Sequence, residues 1–245
     1  MFLAVDIGNS AIKFGLFDGQ TLASKFSIST KRDATVDDIK DAVDDQLRSP
    51  IESAILCSVV PEIEPAMRTY IGEATSVDPI VVNNSFDFGL KINYEPIDSL
   101  GTDRLVAAYA AVEKHGAPCI VCGLGTATTI DVVSEQREFL GGVIAPGMDA
   151  MSDALHLKAA KLPKVEPARS KNVLGNSTVD AISAGVYFGY VAMVEGLITR
   201  IRTETGVSRV IATGGNAPVL SKELAGMITV DEDLLMTGLR LLVNS

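Results

Sequence analysis

The chain has 245 residues, 47% hydrophobic and 21% charged, a mixture that builds one large or two modest domains and lies far from the compositions that stay disordered. Twenty-one Lys and Arg against 31 Asp and Glu leave a formal charge of -10, which repels a phosphate backbone and argues against nucleic acid and anionic membranes as partners. No unbroken apolar stretch approaches the roughly 20 residues that span a bilayer, and the opening segment reaches Asp6 too early for a signal peptide, so a cytoplasmic protein is expected.

Apolar strands are expected at Phe2 to Asp6, Ile12 to Phe17 and Thr21 to Phe26, joined by short turns at Gly8-Asn9-Ser10 and Asp18-Gly19. That spacing predicts an antiparallel three-strand meander. From Thr35 to Arg48 the period changes: apolar residues at 36, 39, 43 and 47 predict a helix closed by Pro50. A buried strand at Ser53 to Ser58, a helix after Pro61 and a strand at Ile80 to Val82 complete an open mixed sheet with helices on its faces. The Ala- and Leu-rich stretch Thr102 to Lys114 reads as a helix that crosses between halves.

From about Pro118 the same grammar restarts. Strands are expected at Ile120 to Cys122, Thr128 to Val133 and Phe139 to Ile144, then helices over 147–160 and 178–204, a strand at Arg209 to Thr213, a short helix and a final helix over 231–243. The chain is therefore expected to fold as two α/β domains of duplicated topology, 1–116 and 117–245. The three cysteines are too few and too scattered for a disulfide framework. Cys119 and Cys122 lie in an apolar strand, where positions i and i+3 face opposite sides. With only Cys57, His115 and His156 left over, no second ligand pair for zinc exists, and core cysteines are expected.

Two turns carry chemistry. In Asp6-Ile7-Gly8-Asn9-Ser10, followed by Lys13, glycine lets the backbone approach a ligand and Asn and Ser supply small donors. An Asp at the strand end can hold magnesium through water. The same residues also suit an ordinary hairpin turn. The second turn, Gly123-Leu-Gly-Thr-Ala-Thr-Thr-Ile-Asp131, offers small residues and three hydroxyls, Thr126, Thr128 and Thr129, to phosphate oxygens. It lacks the third glycine of a dinucleotide fingerprint, since Thr128 stands there and a strand follows. Thr213-Gly-Gly-Asn216, after a late strand, is placed to meet an adenosine.

The ensemble resembles the actin-like ATPase superfamily of sugar kinases, actin and heat-shock chaperones, with ribonuclease H-like domains on either side of a cleft. Within it, Gly101-Thr-Asp-Arg104, Gly125-Thr-Ala-Thr-Thr-Ile-Asp131, Gly141-Gly-Val-Ile-Ala-Pro-Gly147, Lys161-Leu-Pro163 and Gly175-Asn-Ser-Thr178 with Gly185 look like type III pantothenate kinase. The resemblance covers nearly the whole chain. It implies ATP-dependent phosphorylation of pantothenate, the first step of coenzyme A synthesis, in a homodimer using Mg2+.

On that resemblance Asp103 is the catalytic base. ATP is held by Asp6, Ile7, Gly8, Asn9, Ser10, Ala11, Ile12, Lys13, Gly125 and Thr126, with Asp6 reaching Mg2+ through water. Pantothenate is held by Tyr94, Gly101, Thr102, Asp103, Arg104 and Thr178, the last reaching the partner subunit's pocket, and the apolar helix 178–204 serves core and interface through Val186, Tyr187, Val191, Val194 and Leu197. From the residues alone Asp103 reads first as a helix N-terminal acid, and Arg104 is otherwise a solvated helix charge, Tyr94 a loop aromatic and Thr178 a helix N-cap. One position departs from the pattern: where the family carries Asp for a monovalent cation (K+ or NH4+), this chain has Gly123, so the ligand is lost and weak or absent potassium dependence is expected. Two further readings stand beside the kinase: a nucleotide-binding regulatory module with weakened turnover, and a sugar kinase of the same superfamily.

Overall fold

Every residue of Phe2–Ile7 (β1) is buried, so this strand belongs inside a sheet covered on both faces. The structure, a computed structural model, describes residues 1–243. After β1 come Ala11–Asp18 (β2), Thr21–Ser29 (β3), Val36–Val43 (α1), Ser53–Ser58 (β4), Glu64–Thr75 (α2), Ile80–Val82 (β5) and Lys91–Ile92 (β6). A 3-10 turn at Ile97–Ser99 then leads into Thr102–His115 (α3). The second run is Cys119–Leu124 (β7), Ala127–Val133 (β8), Glu138–Pro146 (β9), Met148–Lys158 (α4), Thr178–Thr205 (α5), Val210–Thr213 (β10), Ala217–Leu220 (α6), Thr229–Val230 (β11) and Leu234–Leu242 (α7).

The chain forms two units, one from Met1–Lys114 together with the residues from Asp233 on, the other from His115–Glu232. In the first, the strand order is β3-β2-β1-β4-β5. The meander β1-β2-β3 is antiparallel, and β4 and β5 join parallel to β1. In the second, the order β9-β8-β7-β10-β11 repeats this strand for strand, with the same antiparallel meander and the same parallel pair. The two mixed sheets have the duplicated topology that the turns and periods imply. β6 and β11 span two residues each, too few to show an alternation, and escaped the sequence reading.

Local chemistry sets the helix ends. Thr35 caps α1: its hydroxyl accepts the Asp38 N–H at 3.2 Å while the Asp38 carboxylate accepts the Thr35 N–H at 2.9 Å. The helix stops at Val43, five residues short of the expected end at Arg48. Asp44 and Asp45 follow, and acids are unfavourable at the negative end of a helix dipole. The chain turns there instead, Gln46 N–H and Leu47 N–H both donating to the Val43 carbonyl. At 28 residues α5 is long and apolar enough by length and composition to cross a membrane, which corrects the expectation that no such stretch exists. Isolated polar residues and glycines break its apolar runs in the sequence. Its Ile182, Val186, Tyr187, Tyr190, Val194 and Ile198 are buried in the core of the second unit, as expected of a core helix.

The last helix also departs from expectation. The sequence places it with the second domain, but α7 packs on β1, β2 and β4 of the first unit. Its apolar face completes the cover of the first sheet, and order along the chain does not reveal which sheet lacks a cover. The approach is close: a Cβ built on Gly238 would lie 2.8 Å from Ala110 Cβ and 2.9 Å from the Val106 carbonyl oxygen of α3. Neither atom can rotate away. Gly238→Ala should therefore destabilise the protein by about 1–3 kcal/mol in denaturant unfolding. Gly72→Ala, on α2 with open space at the position of the added carbon, should stabilise it by up to about 1 kcal/mol.

Candidate active site

Near the end of β1, Asp6 pairs across the sheet with Lys13 on β2 and Cys57 on β4. Its side chain is only 4% exposed, and Lys13 Nζ lies 3.5 Å from its carboxylate. Burial pushes the Asp6 pKa up to about 6, the Lys13 charge opposes that shift, and the Asp103 charge adds to it. The turn that follows is held from outside: Thr30 Oγ1 donates to the Gly8 carbonyl at 2.7 Å, Thr30 N–H to the Ser10 carbonyl at 3.1 Å, and Gly8 N–H closes on Ala11 at 3.1 Å. Arg32 also donates to Asn9 Oδ1 at 3.3 Å. Neither Thr30 nor Arg32 was singled out in the sequence, because an ordinary strand end carries the same residues. Cys57 is fully buried; burial, then the charges of Asp6 and Asp103, raise its thiol pKa well above the ordinary range and keep it protonated.

The start of α3 brings the second acid. Asp103 accepts the Arg104 N–H at 2.9 Å. Its pKa is raised by burial, an effect moderated by that N–H and by the charges of Arg104 and Lys13. Gly101 is required for space, not for an unusual backbone: an added Cβ would sit 2.6 Å from Asp103 Oδ1. Arg104 is 7% exposed, which overturns its reading as a solvated helix charge. Its guanidinium lies 5.4 Å from the centre of the Tyr94 ring, a cation–π arrangement that also gives the loop aromatic a task. Asp6, Lys13, Asp103, Arg104 and Tyr94 are thus brought together within the first unit.

In the second unit the turn at Gly125 is braced on all sides. Gly125 N–H donates to Ala127 O at 3.1 Å, Gly147 N–H to Thr126 O at 3.0 Å, and Asn216 N–H to Leu124 O at 2.9 Å. A Cβ on Gly147 would run into the Gly125 carbonyl, and Gly214, at φ +95°, would bring one within 2.6 Å of Leu124 O. The Thr213 to Asn216 segment therefore shapes the second turn, a task that sequence reading missed when it read that segment only as an adenosine contact. Thr128 is fully buried, its hydroxyl 2.7 Å from Tyr190 OH. Strand alternation turns it into the core, so of the three expected hydroxyls it cannot serve a phosphate. Thr178 is exposed in the first turn of α5, and the cap is Ser177, whose hydroxyl accepts the Asp180 N–H at 3.1 Å.

The residues suit one of the two expected metals. Asp6, buried, and Asp103, half-buried, are hard-oxygen donors whose pKa values burial raises, and a hydrated divalent ion would be a fitting counter-charge for such oxygens. Among the described residues no group of three or more His, Cys, Asp or Glu is placed to hold an ion. The monovalent site does not fit. Gly123 faces Thr129 across the β7–β8 ladder, and an added Cβ would be 2.6 Å from Thr129 Oγ1. Asp131, two residues on, lies over Gly142 of β9, where a Cβ would come within 2.5 Å of its Oδ1.

The duplicated mixed sheets give this chain the fold of the actin-like ATPases and sugar kinases, with Asp6 near the end of a central strand and Asp103 at the head of α3. A ROK glucokinase from Streptomyces griseus in complex with glucose and AMPPNP shares this fold, with a TM-score of 0.57 at 12% identity, covering 100% of this chain and 99% of that one. A Baf family protein from Campylobacter jejuni is similar at a TM-score of 0.64 and 20% identity, covering 99% and 97%. A sequence profile of type III pantothenate kinase matches residues 2–200, and the type III pantothenate kinase of Geotalea uraniireducens (strain Rf4) is 39% identical over 99% of this chain and 97% of its own length. The chain belongs to the type III pantothenate kinase family.

The pH dependence of Asp6 is a direct test of its burial. With its pKa raised in the folded state, the stability contributed by the protonated carboxyl is complete below the ordinary carboxylate range and is lost as pH rises through about 6. Asp6→Asn should therefore raise the stability of the nucleotide-free protein at pH 8 by up to about 3 kcal/mol. In thermal unfolding at pH 4 the two proteins should differ little.

Proposed function

We propose that the chain transfers the γ-phosphoryl group of ATP to pantothenate, giving 4'-phosphopantothenate at the entry to coenzyme A synthesis. The observation that carries this reading is the pairing of half-buried Asp103 with buried Arg104 at the head of α3, electrostatically coupled to Asp6 and Lys13, in a chain of this family. The substrate hydroxyl oxygen attacks the γ-phosphorus, the bond from phosphorus to the ADP oxygen breaks, and the hydroxyl proton passes to the Asp103 carboxylate. Burial raises the Asp103 pKa, which makes it a better base than a solvated Asp. Arg104, held over Tyr94, supplies positive charge for an anionic substrate. Lys13 and the backbone of the Gly8 to Ser10 turn orient the triphosphate. Asp6 would hold a magnesium ion through water, and that ion would supply positive charge to the phosphates.

The protein is further proposed to be a cytoplasmic homodimer in which Thr178 completes the partner's substrate pocket. Of the α5 residues expected to serve both core and interface, Val186, Tyr187 and Val194 are buried within their own unit and Val191 and Leu197 pack against that core. The side left exposed is Ala181, Gly185, Gly189 and Ala192. Gly123 favours a second reading, a nucleotide-binding regulatory protein with weakened turnover; an assay of phosphate transfer to pantothenate and to a panel of sugars separates it, and the sugar-kinase reading, from the first.

Asp103→Asn should lower turnover about 10²- to 10⁴-fold while pantothenate still binds. Unchanged turnover removes Asp103 from the reaction.

Potassium should activate the wild-type protein little. Gly123 lies in a strand without positive φ, so the backbone accepts Asp, but Thr129 occupies the space. Gly123→Asp alone should gain little, whereas Gly123→Asp with Thr129→Ala should raise turnover and make it respond to K+ or NH4+ over Na+. Strong potassium activation of the wild type contradicts this.

A further inference from the structure

Asn84, in the segment between β5 and β6, is half-buried and uses every proton of its amide. Its Nδ2 donates to the carbonyl of Ile97 at 2.7 Å and to that of Leu100 at 2.8 Å, while its Oδ1 accepts the Thr102 hydroxyl at 2.8 Å. The two carbonyls mark the beginning and end of the 3-10 turn, and Thr102 is the first residue of α3. One side chain therefore ties both ends of the turn and the head of the helix to a single point.

Both sides of that point are rigid. The 3-10 turn is closed by Ser99 N–H to Pro96 O at 3.1 Å, Leu100 N–H to Ile97 O at 3.0 Å and Ser99 Oγ to Pro96 O at 2.7 Å. On the Asn84 side, Asn83 Oδ1 accepts the Ser85 N–H at 2.9 Å and the Ser85 hydroxyl at 2.6 Å, and Phe86 N–H reaches Asn83 O at 3.0 Å. Immediately beyond the staple, Gly101 O receives the Arg104 N–H at 3.0 Å to begin α3, and the same N–H bonds the Asp103 carboxylate. The position of that carboxylate is thus set by the backbone from Leu100 to Thr102.

We infer that Asn84 is a positioning residue for the phosphoryl transfer: its amide fixes the entry of α3 and with it the reach of Asp103 and Arg104. Only an amide does this, because the site needs two donors toward carbonyls and one acceptor toward a hydroxyl. A carboxylate of the same shape keeps the acceptor and sets negative charge against two carbonyl oxygens. A misplacement of about 1 Å in a reacting group lowers rate by about 10²-fold without removing any atom of the machinery. The inference rests on the reading of Asp103 as the acceptor of the hydroxyl proton.

The test compares Asn84→Asp, Asn84→Ala, Asp103→Asn and wild type in steady-state kinetics at saturating pantothenate, with MgATP binding measured separately by calorimetry. Asn84→Asp should lower kcat about 10- to 100-fold, with the KM and the dissociation constant for MgATP within about twofold, because the Asp6 to Lys13 turn does not depend on the staple. If Asn84→Asp does not fold, Thr102→Val with Asn84→Ala serves instead: the double variant should lose no more than the worse single one, as expected of two ends of one hydrogen bond. Turnover within about twofold of wild type in Asn84→Asp, or equal losses in kcat and nucleotide affinity, overturns the inference provided Asp103→Asn is itself impaired. Full turnover in Asp103→Asn locates the failure in the reading of the base instead.

Discussion

Two carboxylates removed from water near one lysine form the constraint on which the first unit turns. Asp6 sits on the most buried strand of its sheet, and Asp103 heads α3; burial raises the pKa of each, and the Asp103 charge adds to the shift at Asp6. Such a pair is costly in the nucleotide-free protein, and the surroundings are built to hold it. Lys13 stands across the ladder, the Arg104 amide and guanidinium serve Asp103, and Gly101 leaves the space the carboxylate needs.

The duplicated sheets show the same frame put to different use. The ladders place Asp6 between Lys13 and Cys57, and place Gly123 between Thr129 and Thr213. The acid and the cation of the first unit have become a glycine and a hydroxyl in the second. What persists is a tight turn after the central strand. In the first unit Thr30 holds it through side-chain and backbone bonds; in the second, glycines at 147 and 214 let neighbouring backbone press against it while Asn216 donates to it. Charge is concentrated in one unit, and the other contributes shape.

Much of this was legible in the sequence because it is local. The meanders follow from apolar runs and the turn residues between them, α1 announces itself through Thr35 and Asp38, and the Gly101 to Arg104 run marks the site. Asp6, Lys13, Asp103, Arg104 and Tyr94, all named from the sequence, lie within one unit and interact there. The failures share a cause. The sequence reading overran the end of α1, because the apolar residue at 47 continues the helical period while Asp44 and Asp45 end the helix electrostatically. Among the threonines, Thr126 lies in the turn, whereas Thr128 and Thr129 are consecutive on β8 and differ in which way the pleat points them.

The amino-acid sequence by itself determined the element types, the duplication, the two turns and the identity of the charged groups, since these depend on periodicity and on chemistry within a few residues. Tertiary structure alone decided that α7 closes the first sheet, that Arg104 is buried against Tyr94, that Asn216 braces the turn at Gly125 and that Asn84 governs the entry of α3. Each of those joins residues that are distant in sequence, ten at the least and more than two hundred at the most. Contacts of that kind are selected by which surfaces remain to be covered and which buried polar groups remain to be paired, and neither quantity exists until the chain has packed.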